Sequence, residues 1–317
     1  DLDWIQGLMA TWFEIKVRAR LGDGEKDDKE VVILGRIVRW MKGGIEYEAD
    51  PKHRKIILES LGLDEGSRVL TNNGEKEDGR EEDWELEELQ KGEAKEFRGL
   101  AARMIFLSLD SPDIQFPIKQ SSREMARPKR GSWKRMKKVA RYLLNRRRVV
   151  WVFGWQNEVR YSHLATDSDW GGTCKDRKST SGGVWMIGGH CIKTWSASQG
   201  PYALSSAEAE LYGMVEGVTR AKGLLSLAYE VGFRSLSNVV HVGTDSSAAK
   251  SFVCRRGLGR MRHLEIRDLW LQKEVSDGKV EVSKIRGDEN PADLMTKMLK
   301  VNEIKDRLGW MNLRFEA

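Results

Sequence analysis

The sequence predicts a mixed α+β fold, with antiparallel strands first and then helices alternating with strands around one mixed sheet. Three observations carry this expectation. Between residue 149 and about 200 lie four short β-rich runs, "VVWVFGW", "VRYSHLATD", "GGVWMIG" and "CIKTWS", separated by turn residues. From 205 to 300 the pattern changes to helical periodicity, interrupted by only two short strands. One of these, "VVHVGTD", is almost continuously apolar, as a strand covered on both faces is.

At 317 residues the chain is long enough for two domains and a linker. Hydrophobic residues at 40% and charged residues at 32% fit a soluble globular protein. A net charge of +6 and a pI near 9.1 favour a polyanionic partner, depending on where the charge sits. No apolar run approaches the roughly 18 residues that span a bilayer, and no secretory signal opens the chain, so no membrane partner is expected. Cys174, Cys191 and Cys254 lack metal-ligand spacing and read as reduced thiols of an intracellular protein. The first residue is Asp1 rather than Met, which points to a piece of something longer.

In chain order, residues 1–71 read as a small α+β unit. "WFEIKVRA" alternates Phe13, Ile15 and Val17 on one face, as a strand does. "VVILGRIVRW" and "GIEYEAD" follow as strands about a Lys42-Gly43-Gly44 turn. "PKHRKIILESLGL" reads as a helix opened by Pro51 and stopped at Gly62. Residues 72–96 are acidic and poor in core residues, and are expected to form a linker. Residues 97–148 read as a basic helical segment. "FRGLAARMIFLSL" ends before Ser111-Pro112, and a second helix carries Arg127, Lys129, Arg130, Lys134, Arg135, Lys137, Lys138, Arg141, Arg146, Arg147 and Arg148 with no acidic interruption.

Residues 149–300 form the largest expected unit. Its first two runs flank Asn157-Glu158, and the next two form a hairpin at Gly188-Gly189-His190. A long helix runs from Ser205 to about Val231, followed by "VVHVGTD", a helix from Ser246, another from about Arg262 to Ser276, the strand "KVEVSKI", and a last helix from about Pro291. Residues 301–317 are left as a tail. There is no internal repeat.

Four acidic residues stand where elements end or begin: Asp167, Glu210, Asp245 and Asp293. Taken singly, each has an ordinary explanation. Asp167 or Asp169 suits a turn, Asp245 an N-cap, Asp293 the first turn of a helix, and Glu210 a solvated or paired position. As a set they argue differently. Two neighbouring strands would end Asp167 and Asp245 at one edge, and helix starts bearing Glu210 and Asp293 can face it. Four carboxylates there would repel one another without a cation. All-oxygen ligation suits Mg²⁺ or Mn²⁺, and two such ions about 4 Å apart are a recurring device for phosphoryl displacement. Glu208 and Glu210 lie roughly 200° apart on the helix, and both fall near its apolar stripe of Leu211, Met214, Val215 and Val218, so periodicity does not choose between them.

The segments "TDSDWGG", "RKSTSGGVWMIGGHCIKTWSASQ", "ALSSAEAELYG", "GTDSSAAK", "RHLEIRDLWLQ" and "GDENPADLMTK" run over roughly 145 residues. In order and spacing they resemble the ribonuclease H domain of copia-type LTR retrotransposon Pol polyproteins. Residues 97–148 resemble the connection segment before that domain, and residues 1–71 the end of the reverse transcriptase, beyond its active site. The resemblance implies a five-stranded mixed sheet flanked by helices, and cleavage of the RNA strand of an RNA–DNA hybrid with two Mg²⁺, Mn²⁺ being a possible substitute. It assigns Asp167 to the ion-bridging aspartate, Glu210 to the helix glutamate, Asp245 to the second aspartate and Asp293 to the last, with 5′-phosphate and 3′-hydroxyl products. It also implies the rest of the polyprotein, including the polymerase active-site part and integrase, as partners, in the cytoplasm (a virus-like particle) or the nucleus. Oligomeric state is left open.

Substrate contacts are expected from Ser205 and Ser206, for which helix capping is an equal reading. Lys175, Arg177 and Lys178 are candidates for phosphate contacts, as is the basic run with Lys134, Lys138 and Arg141. His263 lies too early to be the loop histidine of many cellular ribonucleases H and reads as structural or as a phosphate contact. No polymerase activity is expected, because "KDD" at 26–28 sits in a polar loop. The alternative is a catalytically silent nucleic-acid-binding fragment of a decayed element; a host ribonuclease H fits the upstream segment less well. Asp169 is expected to serve the turn beyond the strand, beside Trp170.

Overall fold

The computed structural model describes residues 2–74, 82–146, 148–172, 176–259 and 263–316. Helix α1 (Leu2–Trp12) opens the chain and buries none of its residues. The expected strand "WFEIKVRA" does not form, and residues 14–20 are irregular and largely exposed. Alternation supplies an apolar face, but a strand also needs an edge to pair with, and none is offered here. Strands β1 (Glu30–Ile33), β2 (Arg36–Met41) and β3 (Gly44–Ala49) form an antiparallel meander. The single strand expected at "VVILGRIVRW" is therefore two. Leu34 (φ 51°) and Gly35 (φ 74°) both adopt the left-handed conformation that a two-residue hairpin demands. Helix α2 (Lys52–Ser60) follows Pro51, and Gly62 turns the chain out at φ 60°.

Residues 75–81 of the expected linker lie outside the described residues. The remainder is more ordered than its composition suggested. Asp83–Leu86 form a 3-10 turn and α3 (Lys91–Ser108) begins six residues before Phe97, its Glu93 carboxylate accepting from the Gln90 N–H at 3.2 Å. Helices α4 (Gln115–Ser122) and α5 (Arg130–Asn145) complete this helical layer. Strand β4 (Arg148–Gly154) then pairs with β3 on one side. On its other side is a strand from the expected tail, because residues 301–316 hold α9 (Val301–Trp310) and β10 (Leu313–Glu316). The first sheet thus has the order β1-β2-β3-β4-β10. Although "VVWVFGW" and "VRYSHLATD" flank Asn157-Glu158 as expected, they enter different sheets. The Trp155 N–H bonds to Gly43 O at 2.9 Å and extends β4 along β3.

The second sheet is built from β5 (Ser162–Asp169), β6 (Thr180–Ile187), β7 (His190–Ser198), β8 (Val240–Thr244) and β9 (Val280–Lys284), in the order β7-β6-β5-β8-β9. Pairings β5–β6 and β6–β7 are antiparallel, while β5–β8 and β8–β9 are parallel. This is the five-stranded mixed sheet that the resemblance implied. β8 has a neighbour on each side and buries Val240, Val242 and Thr244, as its apolar run foretold.

Helix α6 (Ser206–Glu230) lies across one face of this sheet. Gly217 permits the close approach, since a Cβ there would stand 2.8 Å from Thr166 Cγ2 and 3.1 Å from Leu164 Cδ2. Helices α7 (Ser247–Val253) and α8 (Ile266–Ser276) complete that side over a core of Leu164, Trp185, Leu211, Met214, Val218 and Phe252. Burial of each such side chain contributes about 2 kcal/mol.

Against the other face sits the segment after β9. The helix expected from Pro291 is only a 3-10 turn, Pro291–Met295. It is pressed onto β6 at Gly182, where a Cβ would meet Met295 Cβ and Thr296 Cγ2 at 2.7 Å each. Asn290 ties it to β5, donating to Thr166 O at 3.0 Å while accepting from the Ala292 N–H at 3.0 Å. A second core, including Ile57, Phe97, Met136, Leu143, Val184 and Leu294, runs without a break from α2 and α3 to the second sheet.

Candidate active site

β5 and β8 run parallel with Ser162 opposite Val240 and Ala165 opposite Gly243, so the same register brings Asp167, in β5, beside Asp245, just past the end of β8. Asp167 is the sixth residue of β5 and only 2% exposed. Asp245 follows Thr244 directly and is half-buried. Helix α6 begins nearby, capped by Ser205, whose hydroxyl accepts from the Glu208 N–H at 3.2 Å. Its second turn brings Glu210 to β5, where Oε1 accepts from the Ser168 N–H at 3.3 Å. The other oxygen, Oε2, is buried with no hydrogen-bond partner among the described residues. One carboxylate oxygen from each of Asp167, Glu210 and Asp245 lies within 4.8 Å of the other two.

At that spacing, ionisation of Glu210 and Asp167 is disfavoured. Burial, then Asp167 and Asp245, push the Glu210 carboxyl up to about 8. Asp167 is pushed up to about 6, chiefly by burial, with Lys297 and the Thr296 hydroxyl opposing and Asp293 and Asp245 adding to the rise. A bound cation would reverse this by favouring the ionised forms. The donor set is all oxygen, and one of its carboxylates, that of Glu210, has a buried oxygen without a hydrogen-bond partner among the described residues; both suit a hard divalent ion such as Mg²⁺ or Mn²⁺.

Asp293 is placed differently from the other three. It is 5% exposed and close enough to raise the Asp167 carboxyl, but both its oxygens are engaged by cationic side chains. Arg307 Nη2 donates to Oδ2 at 2.9 Å, and the Lys297 ammonium donates to Oδ1. Lys297 Nζ also stands 3.5 Å from Asp167 Oδ2, an oxygen that accepts from the Thr296 hydroxyl. Burial alone would lower the Lys297 ammonium, but Asp167 and Asp293 hold it well above its ordinary value. Neither Lys297 nor Arg307 was singled out from the sequence. Lys297 had a signal in its four-residue spacing from Asp293. Arg307 arrives from α9, in the segment read as a tail.

The structure also separates the two glutamates of "AEAEL". Glu208 faces away from the cluster: its carboxylate accepts from the Leu204 N–H at 3.0 Å and the Tyr212 hydroxyl at 2.7 Å, and pairs with His263 Nε2 at 2.8 Å. His263 thus braces the start of α6. Asp169 lies in β5 opposite Thr180, so the strand continues two residues past Asp167 instead of ending there. Edge pairing to β6 overrides the following glycines. Trp170 Nε1 donates to Ala203 O at 2.8 Å.

Of the residues expected to touch nucleic acid, Ser205 serves as the cap and Ser206 is exposed beside it. Lys175 lies outside the described residues, as does Arg147 of the basic run. Arg177 adopts φ 52°, and Lys178 Nζ stands 5.8 Å over the Tyr202 ring. Lys134, Lys138 and Arg141 are half-buried on α5, which packs on α2 and α4. Much of the basic run is neutralised within the chain. Lys134 pairs with Glu85, Arg135 with Glu124, Arg130 with Glu87, Arg148 with Glu48, and Arg146 with the wholly buried Asp113. The acidic partners lie outside the run from Arg127 to Arg148, so an uninterrupted basic stretch did not reveal them.

No family model matches the chain. It is 29% identical over 196 residues (61% of its length) to the retrovirus-related Pol polyprotein from transposon TNT 1-94 of Nicotiana tabacum. It is 27% identical over 206 residues (64%) to that from transposon RE2 of Arabidopsis thaliana. The chain spans 14% of the length of each of these relatives. Among solved structures it is similar to the N-terminal RNase H domain of rv2228c from Mycobacterium tuberculosis, at 14% identity and a TM-score of 0.29, over 43% of this chain and 91% of that one. Among the described residues, no helix is long and apolar enough to cross a membrane.

Proposed function

We propose that this chain, a homologue of the Pol polyproteins of copia-type plant transposons, is a metal-dependent endonuclease that hydrolyses the RNA strand of RNA–DNA hybrids. The observation that carries the proposal is the convergence of Asp167, Glu210 and Asp245, with ligand oxygens within 4.8 Å of one another. Asp167, the most buried of the three and held by its strand, would hold a pair of Mg²⁺ ions together with Glu210 and Asp245. Bound there, the ions would supply an activated water and stabilise the leaving 3′ oxygen. The protein's part is to hold these carboxylates on rigid elements, so that the scissile phosphate meets a fixed geometry. Asp293 is proposed as a fourth ligand. Ser206, Arg177 and Lys178 are proposed contacts to the hybrid, together with Lys138 and Arg141. The remainder of a Pol polyprotein is proposed as the partner.

The test is cleavage of a labelled RNA–DNA hybrid by the purified chain in Mg²⁺ and in EDTA. Expected are Mg²⁺-dependent products with 5′-phosphate and 3′-hydroxyl ends, and loss of at least about a hundredfold in rate for Asp245→Asn. Hybrid binding without cleavage would instead identify a silent nucleic-acid-binding fragment, and cleavage that survives Asp245→Asn would refute the site.

A further inference from the structure

We infer that Lys297 is an internal counter-cation of the site, which competes with divalent ions for the edge between Asp167 and Asp293 and must swing out before Asp293 can become a ligand. The inference rests on the metal reading proposed above and adds to it what sets the ion concentration at which the site fills.

The geometry distinguishes the two cations on Asp293. Arg307 is fixed: its side chain is 10% exposed, and it also donates to Gly287 O at 3.2 Å and to Asp288 O, so it ties Asp293 to the backbone of the segment just before the 291–295 turn. Lys297 is different. Its side chain is 43% exposed, and its ammonium bonds Asp293 Oδ1 and lies 3.5 Å from Asp167 Oδ2. The ammonium therefore bridges two carboxylates from different elements, one on β5 and one on the 291–295 turn. It thereby links Asp293 to Asp167, a member of the converged trio of Asp167, Glu210 and Asp245. A lysine stem is long, flexible and singly charged, so its head group can leave for solvent when a doubly charged ion arrives. An ordinary structural ion pair four residues apart would hold the turn in the same way with or without ions. A counter-cation must oppose ion binding.

The measurement is Mn²⁺ binding to the full chain by calorimetry, without nucleic acid, paired with thermal melts in EDTA and in Mn²⁺. Lys297→Met should bind the first ion about tenfold more tightly than the wild type, because a resident positive charge no longer has to be displaced. Lys297→Arg, which keeps the charge, should stay within about twofold of the wild type. In EDTA, Lys297→Met should melt lower than the wild type, and Mn²⁺ should raise its melting temperature by more. Should Lys297→Met not fold, Lys297→Gln carries the same expectations. Unchanged or weaker Mn²⁺ affinity on loss of the charge overturns the inference. If that result comes with Mg²⁺-dependent cleavage intact, the proposed function stands and only the role of Lys297 falls. Absence of Mn²⁺ binding in wild type and variants alike overturns both.

Discussion

Replacing Glu210 with glutamine should make the ion-free protein more stable at alkaline pH while abolishing its response to Mg²⁺. Glu210 ordinarily titrates near 4.5 and is held at about 8 in the fold. Between those values the folded chain keeps a proton that the unfolded chain has released. The associated stability is present in full below about pH 4.5 and is lost as the pH climbs through 8. At about 1.4 kcal/mol per pH unit the ceiling is roughly 5 kcal/mol. Asp167 titrates with Glu210 and Asp245 is half open to solvent, so a loss of about 2 kcal/mol is expected. The Glu210→Gln variant has no such loss, and its new amide can donate to Asp167. Denaturant titrations in EDTA at about pH 5 and pH 8.5 should therefore show little difference between the proteins at the lower pH. At the higher pH the variant should be ahead by about 2 kcal/mol. Millimolar Mg²⁺ should then stabilise the wild type and leave the variant almost unmoved. A wild type whose stability does not fall between these pH values, or a variant less stable than it in EDTA at the higher pH, would refute the reasoning.

Other perturbations test the scaffold. Arg146→Met leaves Asp113, 0% exposed, with the Tyr142 hydroxyl at 2.8 Å as its one side-chain partner among the described residues. It should cost about 3 kcal/mol in denaturant midpoint analysis, and a cost under about 1 kcal/mol would mean that Asp113 takes up a proton cheaply. Gly182→Ala drives a methyl into Met295 and Thr296; about 1–3 kcal/mol of destabilisation should accompany a loss of hybrid cleavage larger than that of a surface control. Asn290→Ala removes the bond to Thr166 O and the cap at Ala292, and a melting temperature lower by several degrees is expected.

The convergence of Asp167, Glu210 and Asp245 could be anticipated because its members stand near element ends, and those ends are written in local sequence. "TDSDWGG", "GTDSSAAK" and the serines before α6 each mark a boundary from a few residues. Choosing Glu210 over Glu208 was not local: both are buried, and only packing sends one to Ser168 and the other to Tyr212 and His263. The surroundings of Asp293 were hidden for the same reason, since Arg307 comes from a helix fourteen residues away. The first sheet was the least legible part. Alternation at "WFEIKVRA" had no partner strand, a two-residue turn hid inside "VVILGRIVRW", and β4 takes a neighbour from the chain's last residues. Pairing over that separation is settled by the common core, which no window of sequence displays.

The place of β10 beside β4 also bears on how such a chain can be divided or inherited. Cutting at 149 and 300 would keep the three converging carboxylates but strip β4 of both neighbours and leave Arg307 behind. Domain shuffling or laboratory truncation at those points would deliver a strand with two raw edges and a last aspartate missing its fixed cation. The smallest transferable piece is therefore larger than the smallest piece that carries the three converging carboxylates.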